Sequence, residues 1–433
     1  MSATRRAAPG FVPQTSHWGA FTAAATPAGI VVEPHPDDPE PSQLLGNIPG
    51  AVVHPTRVAQ PMARRGWLEH GPGPARRGAD PFVPLSWDEA SSLLAAELER
   101  VGREHGPQAI FGGSYGWASA GRFHHAQGQI HRFLGCLGGY TSSVNTYSYG
   151  ASEVLLPHVI GSLTDIIHRA TSWDVIEQHS ELIVCFGGIP VKNAQVTVGG
   201  VTRHTVRGHL RAARERGARF VLLGPLRDDL VDEVGAEWHP LVPGSDTAVL
   251  LALAHVLVAE GLHDRDFLER CTVGFERFAP YLLGQTDGQP KSPEWAAPLC
   301  GIPAHTLRAL AREMAASRTL LTTTWSLQRA EYGEQPIWMA IVLAALLGQI
   351  GLPGGGFGHG YGAVSDIGRL SLPVGLPRFP QGRNKVRTFI PVARIADLLL
   401  HPGEEFDYDG RRHVYPDIRL VYWAGGNPFH HHQ

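Results

Sequence analysis

Residues 181–190, ELIVCFGGIP, decide how this chain is read. The apolar run Leu182–Phe186 is too short for a helix, and closed by two glycines and a proline it reads as a strand buried on both faces. The same pattern returns at QAIFGGSYG (108–116), RFVLLGP (219–225), RTLLTTTWS (318–326) and RLVYWAGGNP (419–428). Helical patterns lie between them: HTVRGHLRAARERG (204–217), DTAVLLALAHVLVAEG (246–261) and HTLRALAREMAAS (305–317). Strand–helix alternation of this kind specifies an α/β protein with doubly wound parallel sheets, covered by helices on both faces. Such sheets take ligands at the carboxyl ends of their strands. Strand ends carrying Gly, Trp, Lys, Arg, Asn and Asp therefore point to a large, nucleotide-like or multiply phosphorylated ligand, although any one glycine there also serves a turn.

Around these strands the chain is long enough for two or three domains: 433 residues, 43% hydrophobic and 18% charged. A net charge of -3 with both signs interspersed offers no basic stripe, so nucleic acid is not an expected partner. Four cysteines, Cys136, Cys185, Cys271 and Cys300, form no CxxC pair, which leaves no local motif for zinc or an iron–sulfur cluster. The opening MSATRRAAPGFVPQ has an arginine pair but no apolar run behind it, and the apolar stretch near Ile341–Ile350 is far short of a membrane span. A cytoplasmic location without a membrane span is the expectation, or a periplasmic one if a leader is missing.

Residues 1–85, rich in Pro and Gly, read as a small irregular β unit. Ser86 and Glu89 in SWDE form a capping box opening a helix. An α/β domain is expected over 86–188, completed by 395–433, with a second, nucleotide-binding-like one over 189–394. The run LPGGGFGHGYGA (352–363) spells GxGxxA at 358–363, but a helical pattern precedes it and none follows, which disfavours a hydride-carrying dinucleotide.

Four passages carry a resemblance: GGSYGW (112–117), YSYGASEVLLPHVIG (147–161), SLQRAEYGEQPIWM (326–339) with GQIGLPGGGFG (348–358), and YWAGGNPFHHHQ (422–433). In this order and spacing they resemble the dimethyl sulfoxide reductase family of molybdopterin oxidoreductases, in its branch without an iron–sulfur cluster that includes biotin sulfoxide and trimethylamine N-oxide reductases. The resemblance implies a molybdenum-bis(molybdopterin guanine dinucleotide) cofactor, oxygen-atom transfer from a small S-oxide or N-oxide, and electrons from an external donor. It also implies that relatives continue past this chain into a further pterin-binding domain, so that residues 1–433 form an N-terminal part that is inactive alone. A cofactor-free scaffold subunit is the competing expectation, and loss of the metal ligand would be its mark.

By the same resemblance Ser148 is the protein ligand to the metal; a deprotonated serine is a hard oxygen donor suited to a high-valent ion, whereas a serine in such a loop otherwise caps a turn. Tyr149 replaces the usual Thr beside it. Trp117 and Tyr115 are implied around the transferred oxygen, an indole N–H donating only and a phenol able to donate a hydrogen bond and then a proton. Tyr115 tilts the expectation toward sulfoxides. The implied cofactor contacts are Trp117, Lys192, Ser245, Asp246, Trp325, Ser326, Gln328, Arg329, Gly354, Gly355, Gly356, Asn427, His431 and Gln433, since pyrophosphates need glycine loops and cations and a guanine edge suits an Asp. Asp246 also reads as a helix N-cap. Ile189 and Gly224 depart from the family's usual residues at two strand ends. His430–His432 read as native sequence, and His124, His125 and His131 as structural or surface histidines.

Overall fold

The computed structural model describes residues 10–73, 78–114, 125–197, 200, 203–369 and 379–425. The chain opens with an antiparallel meander of β1 (Val12–Ser16), β2 (Gly19–Thr26) and β3 (Gly29–Pro34), followed by a short antiparallel pair, β4 (Met62–Arg64) and β5 (Phe82–Pro84). A buried pair fastens this unit to the rest. Asp38 accepts hydrogen bonds from the His204 backbone N (2.8 Å) and meets His204 Nδ1 at 2.7 Å, both side chains being almost wholly buried. The helix Trp87–His105 then starts as expected: Ser86 Oγ accepts from Glu89 N while the Glu89 carboxylate accepts from Ser86 N.

Two strands follow that find their partners only much later, β6 (Ile110–Ser114) and β7 (Ser142–Val144). They are linked side by side through Thr141, which accepts from Gly112 N and donates to Ile110 O.

The run quoted first is β8 (Leu182–Phe186), the middle of a five-stranded sheet with β9 (Arg219–Leu223), β10 (Glu237–His239), β11 (Thr319–Thr323) and β12 (Gly356–His359), in the order β10-β9-β8-β11-β12 and parallel throughout. Strand geometry explains its uniform apolarity. Leu182, Val184 and Phe186 enter one core with the helices Asp246–Ala259, Ala304–Ala316 and Glu334–Leu346. Ile183 and Cys185 enter the opposite core with Trp173, Ile176, Val206 and Leu210. Each fully buried Leu, Val or Phe contributes about 1.5–3 kcal/mol. The helix Asp246–Ala259 is apolar all round because it is enclosed between the sheet and other helices.

β13 (Phe389–Pro391) pairs in parallel with β7; β14 (Glu405–Tyr408) and β15 (Arg411–Val414) form a hairpin; and β16 (Leu420–Ala424) pairs in parallel with β6. β16, β6, β7 and β13 thus all run in one direction.

Two sequence expectations change here. β8 lies among the strands that follow residue 188, so a boundary drawn by the sheets falls before Leu182 and not at 188/189. The GxGxxA run begins inside β12 rather than after a helix, because Leu320–Thr323 of β11 offer a parallel edge to Gly356–His359; no helix directly follows it among the described residues.

Candidate active site

The five-stranded sheet changes direction between β8 and β11: the chain winds outward from β8 through β9 to β10, then returns to lay β11 and β12 on the other side. Loops leaving a sheet at such a point diverge and leave a crevice. A cavity of about 410 Å³ lies there, lined at the carboxyl ends by Gly187, Asn193, Asp229, Trp325, Arg329 and Gly362, and reaching Ser148. Gly187 makes the junction close. Its φ of +81° is a left-handed conformation, and a Cβ there would overlap Thr324 Oγ1 at the end of β11.

Ser148 also lines a second cavity of about 750 Å³, whose walls include Asn145, Tyr149, Glu153, Asp366 and again Trp325. The serine stands where the two spaces meet. It sits four residues beyond β7, just before the helix Gly150–Val159. Its backbone is held on both sides: Ser148 N donates to Thr146 Oγ1 (3.2 Å) and Ser148 O accepts from Gln328 Nε2 (3.2 Å), while its Oγ makes no hydrogen bond among the described residues. Tyr149 turns its ring edge-on to Trp325, with centroids 4.5 Å apart. Burial pushes the Glu153 carboxyl above its usual range, against hydrogen bonds from Thr146 N and the Asn145 side chain.

The following helix is pinned from below. His359 on β12, 1% exposed, meets Thr323 Oγ1 through Nδ1 (2.9 Å) and Ser152 Oγ through Nε2 (3.1 Å). Its burial lowers its pKa to about 3, so the ring is a neutral link.

The expected site residues divide. Ser148, Trp325, Ser326 and Arg329 all line the first cavity. Lys192 lies beside it, its Nζ 3.5 Å from the Asp229 carboxylate and its side chain exposed. Ser245 and Asp246 lie past the carboxyl end of β10, on the same sheet edge but two strands from β8. Ser245 occupies the cap position of that helix without a side-chain cap bond, its Oγ donating to Val242 O (2.6 Å), so Asp246 is the first helical residue and not the cap. Burial raises the Asp246 carboxyl to about 6.

Gln328 borders the site but spends its amide on the protein. Gly354–Gly356 fall at the wrong end of the sheet. They lead into β12 and pack at its amino end against Ser180, Gln349 and Arg318; at the carboxyl end it is Gly362 that lines the first cavity. Tyr115, Trp117, Asn427, His431 and Gln433 lie outside the described residues, as do His124 and His430–His432.

Asn193, Asp229, Thr324 and Gly362–Val364 line the first cavity without having been picked out in the sequence. The available signal was their position just past the ends of β8, β9, β11 and β12. At the departures, Ile189 is a buried packing residue, and Gly224 accepts from the Trp238 indole (2.9 Å). His125 caps the helix Ala126–Cys136 by accepting from Gly128 N, and His131 stacks on Tyr140. All four cysteines are free. No helix among the described residues is long and apolar enough to cross a membrane.

Comparison with known proteins gives a consistent result. The sequence profile of the family described as molybdopterin oxidoreductase matches residues 57–433, and that of the molybdopterin oxidoreductase N-terminal domain matches residues 14–52. Curated relatives include a biotin sulfoxide reductase of Cereibacter sphaeroides, 48% identical over 93% of this chain and 54% of its own length. A dimethyl sulfoxide/trimethylamine N-oxide reductase of the same organism is 42% identical over 98% of this chain and 53% of its own length. The chain spans about half the length of the curated relatives it matches. Among solved structures, acetylene hydratase from Pelobacter acetylenicus superposes with a TM-score of 0.50 over 76% of this chain and 42% of its own, at 22% identity, a likeness of fold alone.

Proposed function

Since this chain belongs to the molybdopterin oxidoreductase family, we propose that the complete protein reduces S-oxides or N-oxides by oxygen-atom transfer, holding a molybdenum-bis(molybdopterin guanine dinucleotide) cofactor across the two cavities with Ser148 as the protein ligand to the metal. The observation that carries this reading is the Ser148 hydroxyl, free of hydrogen bonds among the described residues at the meeting point of both cavities. A serine merely capping a turn would spend that oxygen on a nearby backbone N–H.

The surrounding residues fit such a group. Trp325 stands in the wall of both cavities with its indole N–H packed toward Gly360. Lys192 and Arg329 answer phosphate charge beside the first cavity. Ser245 and Asp246 lie two strand spacings from β8, roughly 10 Å, which suits the far end of an elongated dinucleotide. When bound, the metal and its dithiolenes supply the two-electron redox change.

The chain's own residues bind and orient. Ser148 would hold the metal, Tyr149 and Trp325 border the cavity beside it, and by the resemblance Tyr115 and Trp117 would donate to the oxygen being transferred. Tyr115 favours sulfoxides among the substrates. Electrons come from an external donor; within residues 1–433 no cysteine pair is spaced to hold an iron–sulfur cluster.

Ser148→Ala in the complete protein tests the reading. The variant is expected to keep its fold and lose sulfoxide and N-oxide reduction. Undiminished turnover with molybdenum still bound would remove Ser148 from the site, and absence of molybdenum from wild type made in a cofactor-producing host would favour a scaffold.

A further inference from the structure

We propose that Gln328 is a positioning residue that sets the direction of the Ser148 hydroxyl, an inference that rests on the reading of Ser148 as metal ligand. Gln328 is 8% exposed and closes the short turn Trp325–Gln328 after β11. Its Oε1 accepts from Ala151 N (2.8 Å), and its Nε2 donates to Ser148 O (3.2 Å) and, at a longer 3.4 Å, to Tyr147 O. Only one orientation of the amide satisfies these three partners, because Ala151 presents a donor and the two carbonyls present acceptors. Both donors of the amide are then used, so none is left for a cofactor.

On its other side the loop is held independently. Thr146 N donates to Glu153 Oε2 (2.9 Å), and the Tyr408 hydroxyl donates to Asn145 Oδ1 (3.0 Å), where Asn145 takes a φ of +67°. With Ser148 N bound to Thr146 and Ser148 O bound to Gln328, the two peptide planes beside the serine are fixed, and its side chain has no backbone freedom with which to turn away. Thr324 N donates to Phe186 O (3.0 Å), tying the Gln328 turn to the β8 end that forms the first cavity. The glutamine therefore carries the register of one sheet to the ligand that follows β7.

Hydrogen exchange and spectroscopy on the complete protein test this together. In protein made without cofactor, Gln328→Met, similar in length but apolar, should speed exchange of the Ala151 amide about tenfold and leave the amides of β8 unchanged. Gln328→Glu keeps an acceptor for Ala151 N and turns an oxygen toward the two carbonyls. It should leave Ala151 protected. With cofactor loaded, both variants should keep their molybdenum and hold KM within about threefold while kcat falls about ten- to a hundredfold, the penalty of a small misplacement, and the Mo(V) resonance should shift from wild type.

Unchanged Ala151 exchange in Gln328→Met would refute the clamp. Wild-type kcat and resonance in both loaded variants would show that Gln328 holds only the helix, and would overturn the proposal. If Ser148→Ala leaves activity and resonance intact, the ligand reading falls and the proposal with it, whereas the exchange data still report whether the loop is clamped.

Discussion

Replacing Gly187 by alanine probes the junction on which the first cavity depends. Two costs combine there. The φ of +81° is left-handed, which costs an L-residue about 1–2 kcal/mol. The added Cβ would overlap Thr324 Oγ1 and stand 3.0 Å from both Thr324 Cγ2 and Leu327 Cδ1. Threonine is β-branched and stiff, and its hydroxyl is already bound to Ser326 Oγ at 2.6 Å, so relief must come from moving β11 away from β8. Overpacking of that kind costs about 1–3 kcal/mol. The expected total is about 2–5 kcal/mol, read as faster exchange of the β8 and β11 amides by a factor of about thirty or more.

Gly244→Ala is the matched control, since its φ is +85° and nothing lies within 4 Å of its Cβ position. It should show the backbone cost alone. Equal losses for the two variants would mean that the β8–β11 junction accommodates a methyl group, and the close approach would then not define the cavity.

Two further expectations rest on buried polar pairs. His359 keeps a folded pKa of about 3 against an ordinary value near 6.5, so below that ordinary value the unfolded chain gains a proton that the folded one refuses. Its contribution is complete above about pH 6.5 and is lost as pH falls toward 3, a span of about 5 kcal/mol; His359→Gln should flatten the pH dependence of unfolding between pH 4 and 7, and an unchanged slope would contradict a neutral buried ring. Asp38→Ala strips His204 of two acceptor contacts and should cost about 3 kcal/mol, freeing residues 10–40 to proteolysis while the five-stranded sheet stays resistant; equal resistance in both regions would show that the N-terminal unit is held by other contacts.

Legibility in the sequence follows physical scale. The Ser86–Glu89 box and the runs at 182–186, 219–223 and 319–323 could be read because capping and burial on both faces are local properties of a few residues. β12, with the sequence GFGH, could not: it is extended because β11 presents an open edge, a fact about residues 36 positions away. The place of Gly354–Gly356 at the amino end of β12 is not legible for a related reason. Glycine richness marks close approach but does not say at which end of a strand it occurs, and here the clustered glycines pack on Ser180 while Gly360 and Gly362 stand past the other end. Ser148 stands out from its passage, whereas the hydrogen bonds of Gln328 depend on the direction of one side-chain amide, which no spacing encodes.

The pairing of β6 with β16 joins Ile110 to Leu420, and it sets a timetable for the growing chain. At about 5–20 residues per second, roughly 15–60 s separate the emergence of the first strand from that of its partner. Throughout that interval β6 offers an unsatisfied edge to any passing strand, and the loop holding Ser148, two strands away, rests on half a sheet. The part of the molecule that carries Ser148 therefore becomes native only after the five-stranded sheet is complete. Until that late strand arrives, the nascent chain needs shelter from other exposed strands.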